Sequence, residues 1–122
     1  MTKLKGMRRI INAGKYSIQG LKSAFINETA FRQECYLLIV ANIIVMLTDF
    51  SIFERIILLG SVGFILIVEL INSAIECVVD RISFEHHELS GRAKDYGSAA
   101  VLLSILLAAI LWIYLFACHY LP

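Results

Sequence analysis

Interior proline is missing from this sequence: the single proline among its 122 residues is Pro122. Nothing therefore forbids long unbroken helices, since proline removes a helical N–H donor and clashes with the preceding turn. Cysteine is scarce. Cys35, Cys77 and Cys118 lie in or beside apolar runs with no Cys-x-x-Cys spacing. They point to neither a disulfide framework nor a zinc site, and read as small packing residues. No GxxxxGK[ST] loop and no HRD or DFG set occurs, so the phosphate-handling motifs of soluble enzymes are absent. There is no internal repeat and no low-complexity tract. The basic N-terminal residues precede no apolar core with a small-residue cleavage site, so no signal peptide is expected. Charge is also missing over long stretches: Tyr96 to Cys118 is 23 residues without one.

What is present is apolar. The hydrophobic share is 59%, with a mean hydropathy of +0.77, above the roughly 45–50% of soluble domains, so a membrane protein is the first class to test. The length suits a single domain. A spanning helix needs about 20 mostly apolar residues, which Tyr96–Cys118 satisfies outright. Cys35–Thr48 and Ile56–Val68, uncharged over 14 and 13 residues, are shorter. Joined by the brief link from Asp49 to Arg55, they read as a transmembrane hairpin. Three spans are predicted, at about 30–48, 53–79 and 94–119. Ten of the eleven Lys and Arg residues, all but Arg55, then lie on one side. By the positive-inside bias the N-terminus and the 80–95 loop are cytoplasmic, and the 49–55 link and the C-terminus lie on the opposite side.

The first 28 residues carry a different pattern. Ile10, Ile11, Gly14, Ile18, Leu21 and Phe25 share one helical face; Arg8, Lys15, Gln19 and Lys22 share the other. Residues about 7–27 thus read as a basic amphipathic helix on an anionic membrane surface. The plainer alternative is a solvated helix packed on protein.

One predicted span holds a contradiction. Within IVELINSAIECVVDRI (67–82), Glu69, Asn72, Ser73, Glu76 and Asp80 fall within an arc of about 100° at helical spacing. A charged residue at mid-bilayer costs roughly 2.5–3.5 kcal/mol on insertion scales, so such a stripe should face protein or water and marks a functional site. Asn72 or Ser73 alone would serve as helix–helix glue. Several acids on one face repel one another unless a cation or proton joins them, so Glu69 and Glu76 point to function. Asp80, beside Arg81, is equally well explained by a solvated ion pair. The loop that follows supplies Glu85, His86, His87, Glu88, Arg92, Lys94 and Asp95. Carboxylates for a hard divalent ion, with Lys and Arg for phosphate, make up the equipment of phosphoryl transfer. A small ion-coupled transporter is the rival class, since a membrane acid also binds protons or cations. Three spans and a one-sided cytoplasmic cluster argue against it.

Three stretches, NETAFRQE (27–34), VELINSAIECVVDRI (68–82) and HELSGRAKDYGSAAV (87–101), resemble the integral-membrane diacylglycerol kinases of Gram-negative bacteria. The similarity runs over nearly the whole chain. It implies an all-α homotrimer of three-span protomers with an N-terminal surface helix, resident in the bacterial inner membrane. It implies transfer of the ATP γ-phosphoryl group to diacylglycerol, giving phosphatidic acid, with Mg2+ as cofactor and no nucleic-acid partner. By the same resemblance Glu69 is the general base, Asn72 orients beside it and Asp95 joins them at the catalytic centre. Glu28 and Glu76 hold the metal. Arg9, Tyr16, Glu28, Glu76, Glu85, His86, His87, Lys94 and Asp95 line the nucleotide site. The lipid lies along Arg9, Ala13, Gly14, Lys15, Tyr16, Ser17 and Ile18, then Lys22, Ser23, Ala24 and Phe25, then Ala30, Phe31, Arg32, Gln33 and Glu34, with Glu69 and Ser98. Its acyl chains reach toward Leu47, Thr48, Asp49, Phe50, Arg55 and Trp112. Ile18, Phe84 and His86 depart from the residues usual in the family. Relatives of this fold that phosphorylate undecaprenol or another membrane alcohol are the nearest functional alternative.

Overall fold

A computed structural model describes residues 2–122, with side chains from residue 5 onward. Four helices follow one another: α1 (Thr2–Asn27), α2 (Thr29–Met46), α3 (Ile52–Ile82) and α4 (Glu88–Tyr120). Three of them, α2, α3 and α4, are long and apolar enough to cross a membrane. At about 1.5 Å per residue, α3 and α4 extend roughly 46 and 50 Å, well beyond a hydrocarbon core of about 30 Å. Both helices are therefore longer than an untilted crossing requires, and each carries polar residues at its ends.

The breaks between helices are brief and locally specified. Glu28 alone leaves helical geometry between α1 and α2, at φ −109° and ψ 108°. Arg32 reinforces this corner by donating from Nη1 to the Phe25 and Ile26 carbonyls at 3.1 and 3.2 Å, which satisfies acceptors that a helix end leaves free. Ser51 begins α3 with a reciprocal cap: its Oγ accepts from the Glu54 N–H, and its own N–H donates to Glu54 Oε1 at 3.1 Å. Arg55 Nη2 ties the link down by donating to the Thr48 carbonyl at 3.1 Å. His87 begins α4, its Nδ1 accepting from the Leu89 N–H at 3.1 Å. An Arg92–Glu88 ion pair of 2.7 Å one turn apart supports that first turn.

α3 packs most extensively on α4 and next on α2, whereas α1 meets α2 only lightly. The inward face of α3 is a line of residues three or four apart, Leu58, Val62, Ile65, Glu69 and Asn72, with Ser73 beside Asn72 and one turn from Glu69. It starts apolar and turns polar halfway along. The apolar half is closed at the 47–51 link by Val45, Phe50 and Leu58, packed against Leu59, Trp112, Leu115 and Phe116. Phe50 meets Phe116 edge-on at 5.0 Å, and Trp112 Nε1 bridges to the Leu58 carbonyl at 3.2 Å and to Ser61 Oγ at 3.1 Å. Phe50, with 3% of its surface exposed, belongs to this core. The Asp49 carboxylate accepts from the His119 ring; this bond holds Asp49 below the ordinary aspartate value. The outer surface is the opposite of a soluble protein's: Leu102, Leu103, Leu106, Ile110 and Ile113 of α4 all point outward.

Candidate active site

The polar half of the α3 face builds the site. Glu69, Asn72 and Ser73 are buried at 6, 7 and 6% exposure. Glu76 and Asp80 continue the line, half-buried, toward the 83–87 loop. The stripe thus faces the interior of the bundle, as its cost in lipid requires. Asn72 holds its place by two contacts. Its Nδ2 donates to Glu76 Oε1 at 3.4 Å. Its Oδ1 presses on Gly97 of α4, where an added Cβ would overlap it and lie 3.1 Å from Asn72 Cγ. Neither Asn72 Oδ1 nor Ser73 Oγ has a hydrogen-bond partner among the described residues.

Four carboxylates converge here from three places in the chain. Glu69 feels the charges of Glu76 and of Glu28, at the α1–α2 corner. Glu34, on α2, feels Glu69 and keeps one buried oxygen without a partner. Glu28 is the N-cap residue of α2, yet its side chain makes no capping bond, which leaves it free for another ligand. The concentration of like charge, relieved by one long hydrogen bond from Asn72, is an arrangement that a cation completes. No group of three or more His, Cys, Asp or Glu converges to metal-binding geometry among the described residues. Glu28 and Glu76 would hold an ion only together with oxygen ligands from outside the protein. That is the normal habit of Mg2+, which takes one or two carboxylates together with phosphate oxygens and water.

A cation of the protein's own stands at the end of the stripe nearest the 83–87 loop. Lys94 Nζ lies 2.7 Å from Asp80 Oδ1, joining α4 to α3, and its charge also reaches Glu76. Asp80 thus pairs with Lys94 and not with its neighbour Arg81. The expected start of the third span near residue 94 had hidden this pairing. With α4 beginning at Glu88, Lys94 is already two turns into a helix that packs on α3. Asp95 and Ser98 sit on the same stretch of α4 and are exposed.

The remaining expected site residues form separate groups. Glu85, His86 and His87 line a hollow of about 320 Å³ with Ser83 and Leu89. Arg9, Ala13 and Tyr16 line a basic hollow of about 430 Å³ on α1 with Lys5 and Arg8. Ser17, Ser23, Ala24 and Glu28 line a cavity of about 500 Å³ that also takes in Ser73, Ala74 and Cys77 of α3. Gly14, Lys15, Ile18, Lys22, Phe25, Ala30 and Gln33 are exposed, whereas Phe31 is buried and Arg32 and Glu34 are half-buried. At the other end Leu47 is exposed, Thr48 Oγ1 bonds the Val45 carbonyl, and Arg55 and Trp112 are engaged within the protein. Gly97 was missed by sequence reasoning, because its role depends on the register of α4 against α3.

Residues 15–116 match the family model described as prokaryotic diacylglycerol kinase. The chain is 52% identical over 115 residues to the diacylglycerol kinase of Escherichia coli strain K12, covering 94% of each protein. It is 52% identical over 115 residues to that of Haemophilus influenzae, covering 92% of this chain and 95% of the relative. With the diacylglycerol kinase of Pseudomonas aeruginosa it shares 45% identity over 107 residues, 88% of this chain and 87% of the relative. Its three membrane-compatible helices and the inward acidic face of α3 therefore belong to a member of the prokaryotic diacylglycerol kinase family.

Proposed function

We propose that this protein transfers the γ-phosphoryl group of ATP to the free hydroxyl of diacylglycerol at the cytoplasmic side of the bacterial inner membrane, and that it works as a homotrimer. The observation that carries the reading is the depth order on α3: buried Glu69, then half-buried Glu76, then Asp80 paired with Lys94. Glu69 and Glu76 are seven residues apart, or about 10 Å along the helix. A lipid cannot leave the bilayer and a nucleotide cannot enter it. One helix that carries a base at the deep position and phosphate-side groups at the shallow one brings the two substrates together.

In this reading Glu69 accepts the proton of the lipid hydroxyl as its oxygen attacks the γ-phosphorus. The new O–P bond forms as the bond to the β–γ bridging oxygen breaks, and ADP leaves with that electron pair. Glu28 and Glu76 hold Mg2+, which neutralises charge on the phosphates when bound. Lys94 faces the phosphates from the shallow side, with Asp95 beside it. Glu85, His86 and His87 of the loop, with Arg9 and Tyr16 of α1, hold the rest of the nucleotide. Asn72 keeps Glu76 in place and stands next to Glu69. The basic amphipathic face of α1 lies on the anionic membrane surface. The outward apolar residues of α2, α3 and α4 face lipid or neighbouring protomers.

The test is ATP consumption by the purified protein in detergent, with and without added diacylglycerol. Turnover that requires both the lipid and Mg2+ is expected, with the Mg2+ requirement raised in Glu28→Gln and Glu76→Gln. Consumption independent of lipid would overturn the proposal.

A further inference from the structure

We propose that Ser73 is a specificity-determining residue whose hydroxyl donates to the ester carbonyl neighbouring the reactive hydroxyl of diacylglycerol; this rests on the lipid-kinase reading above. Three other helical serines turn their hydroxyls back on their own helix. Ser17 donates to the Ala13 carbonyl at 2.8 Å, Ser61 to Leu58 at 2.7 Å and Ser104 to Val101 at 2.7 Å. That back-bond is the ordinary resting place of a serine inside a helix. Ser73 is buried too, at 6% exposure, and its Oγ makes no such bond. A buried hydroxyl without a partner is unfavourable and calls for an explanation.

The cavity supplies one. Ser73 lines the space of about 500 Å³ between α1 and α3, with Glu28, Ser17 and Ser23. It stands one turn from Glu69 on the same face, close enough to interact with that carboxylate, though no hydrogen bond of ordinary geometry joins the two. Carboxylates only accept hydrogen bonds when ionised. Ser17 has already committed its proton to Ala13, and Ser23, which accepts from Asn27 Nδ2, is exposed. Ser73 is thus the buried, uncommitted hydroxyl donor of the cavity. Residues four apart on a helix stand about 5–6 Å from each other at Cβ. A diacylglycerol presents a matching pair: a free hydroxyl for Glu69 and, on the adjoining carbon, an ester carbonyl that only accepts. A membrane alcohol without esters offers the first group and leaves Ser73 unsatisfied, and a site built to hydrogen-bond a group discriminates against a ligand that lacks it.

The experiment uses the full-length protein in mixed micelles. Its substrates are a diacylglycerol and the dialkylglycerol of matched chains, which keeps the hydroxyl and replaces both esters with ethers. The wild-type KM should be lower for the diacyl lipid by roughly 3- to 10-fold, the effect of one hydrogen bond. Ser73→Ala should raise the diacyl KM by that factor, leave the dialkyl KM unchanged and hold kcat within about twofold, while Ser73→Thr restores the preference. Equal wild-type KM values for the two lipids would overturn the inference, even if Ser73→Ala fails to assemble. Equal effects of Ser73→Ala on both lipids would overturn it too. A wild-type protein that phosphorylates neither lipid would instead remove the lipid-kinase reading itself, and this inference with it.

Discussion

Gly97→Ala probes the contact on which the placement of Asn72 depends. Of the seven glycines, Gly97 alone would put an added Cβ against another residue among those described. That Cβ would overlap Asn72 Oδ1, lie 3.1 Å from its Cγ and 3.8 Å from its Cα. The side chain cannot simply swing aside, because Asn72 is 7% exposed and its Nδ2 is bonded to Glu76 at 3.4 Å. Overpacking of this kind costs about 1–3 kcal/mol. Losing the long Asn72–Glu76 bond adds about 1 kcal/mol. Against these, replacing glycine by alanine inside a helix gains about 1 kcal/mol. The net expectation is a loss of about 1–3 kcal/mol, together with reduced turnover as Asn72 and Glu76 lose register. In an Asn72→Ala background the obstructing oxygen is gone, so Gly97→Ala should be neutral or stabilising by up to about 1 kcal/mol. The assay is reversible unfolding in mixed micelles for the four members of this cycle, with turnover measured beside it. An equal effect of Gly97→Ala in both backgrounds would refute the reasoning, since it would show that Asn72 is not what the new methyl group meets.

Trp112→Phe removes the donor to Leu58 and Ser61; it should cost about 1–2 kcal/mol of stability, as unfolding in mixed micelles will report. Asp80→Asn removes the partner of Lys94. The pair is solvent-accessible, at 44 and 38%, so stability should change by less than about 1 kcal/mol while KM for ATP rises and Asp80→Glu restores it; an unchanged KM would mean that the pair is purely structural. Asp49 is held below its ordinary value of 3.8 by the His119 bond. A depressed carboxyl contributes stability above its unfolded value and loses it as pH falls through the folded one. The advantage of the wild type over Asp49→Asn in melting temperature should therefore be present at neutral pH and shrink as pH falls below 3.8, and a constant difference across that range would contradict the assignment.

Much of the architecture was legible because membrane helices announce themselves. The charge-free run before Cys118, the absence of interior proline and the 3.6-residue spacing of the acidic stripe are local features of the chain, and each points the same way. That the stripe turns inward follows from the cost of facing lipid, without reference to any partner. What stayed hidden depends on how one helix sits against another. The segment from Glu88 to Asp95 is so polar that it reads as loop, yet the His87 cap and the Glu88–Arg92 pair make it helix. This early start carries Lys94 to Asp80. The pressure of Gly97 on Asn72 likewise depends on the register between α3 and α4. The packing of Phe50 against Phe116 depends in the same way on the fold of the 47–51 link.

Glu69→Gln in a single preparation, assayed for lipid-dependent turnover, Mg-ATP binding and unfolding, is the most direct test of a base buried at membrane depth. Glutamine keeps the shape and the hydrogen-bonding reach of the side chain but does not take up the lipid proton. Turnover should fall to a trace, Mg-ATP should bind as in the wild type, and the fold should be as stable or more so, because a buried ionisable group has gone. Substantial remaining turnover, or activity lost only in proportion to stability, would contradict the role of Glu69 as the proton acceptor.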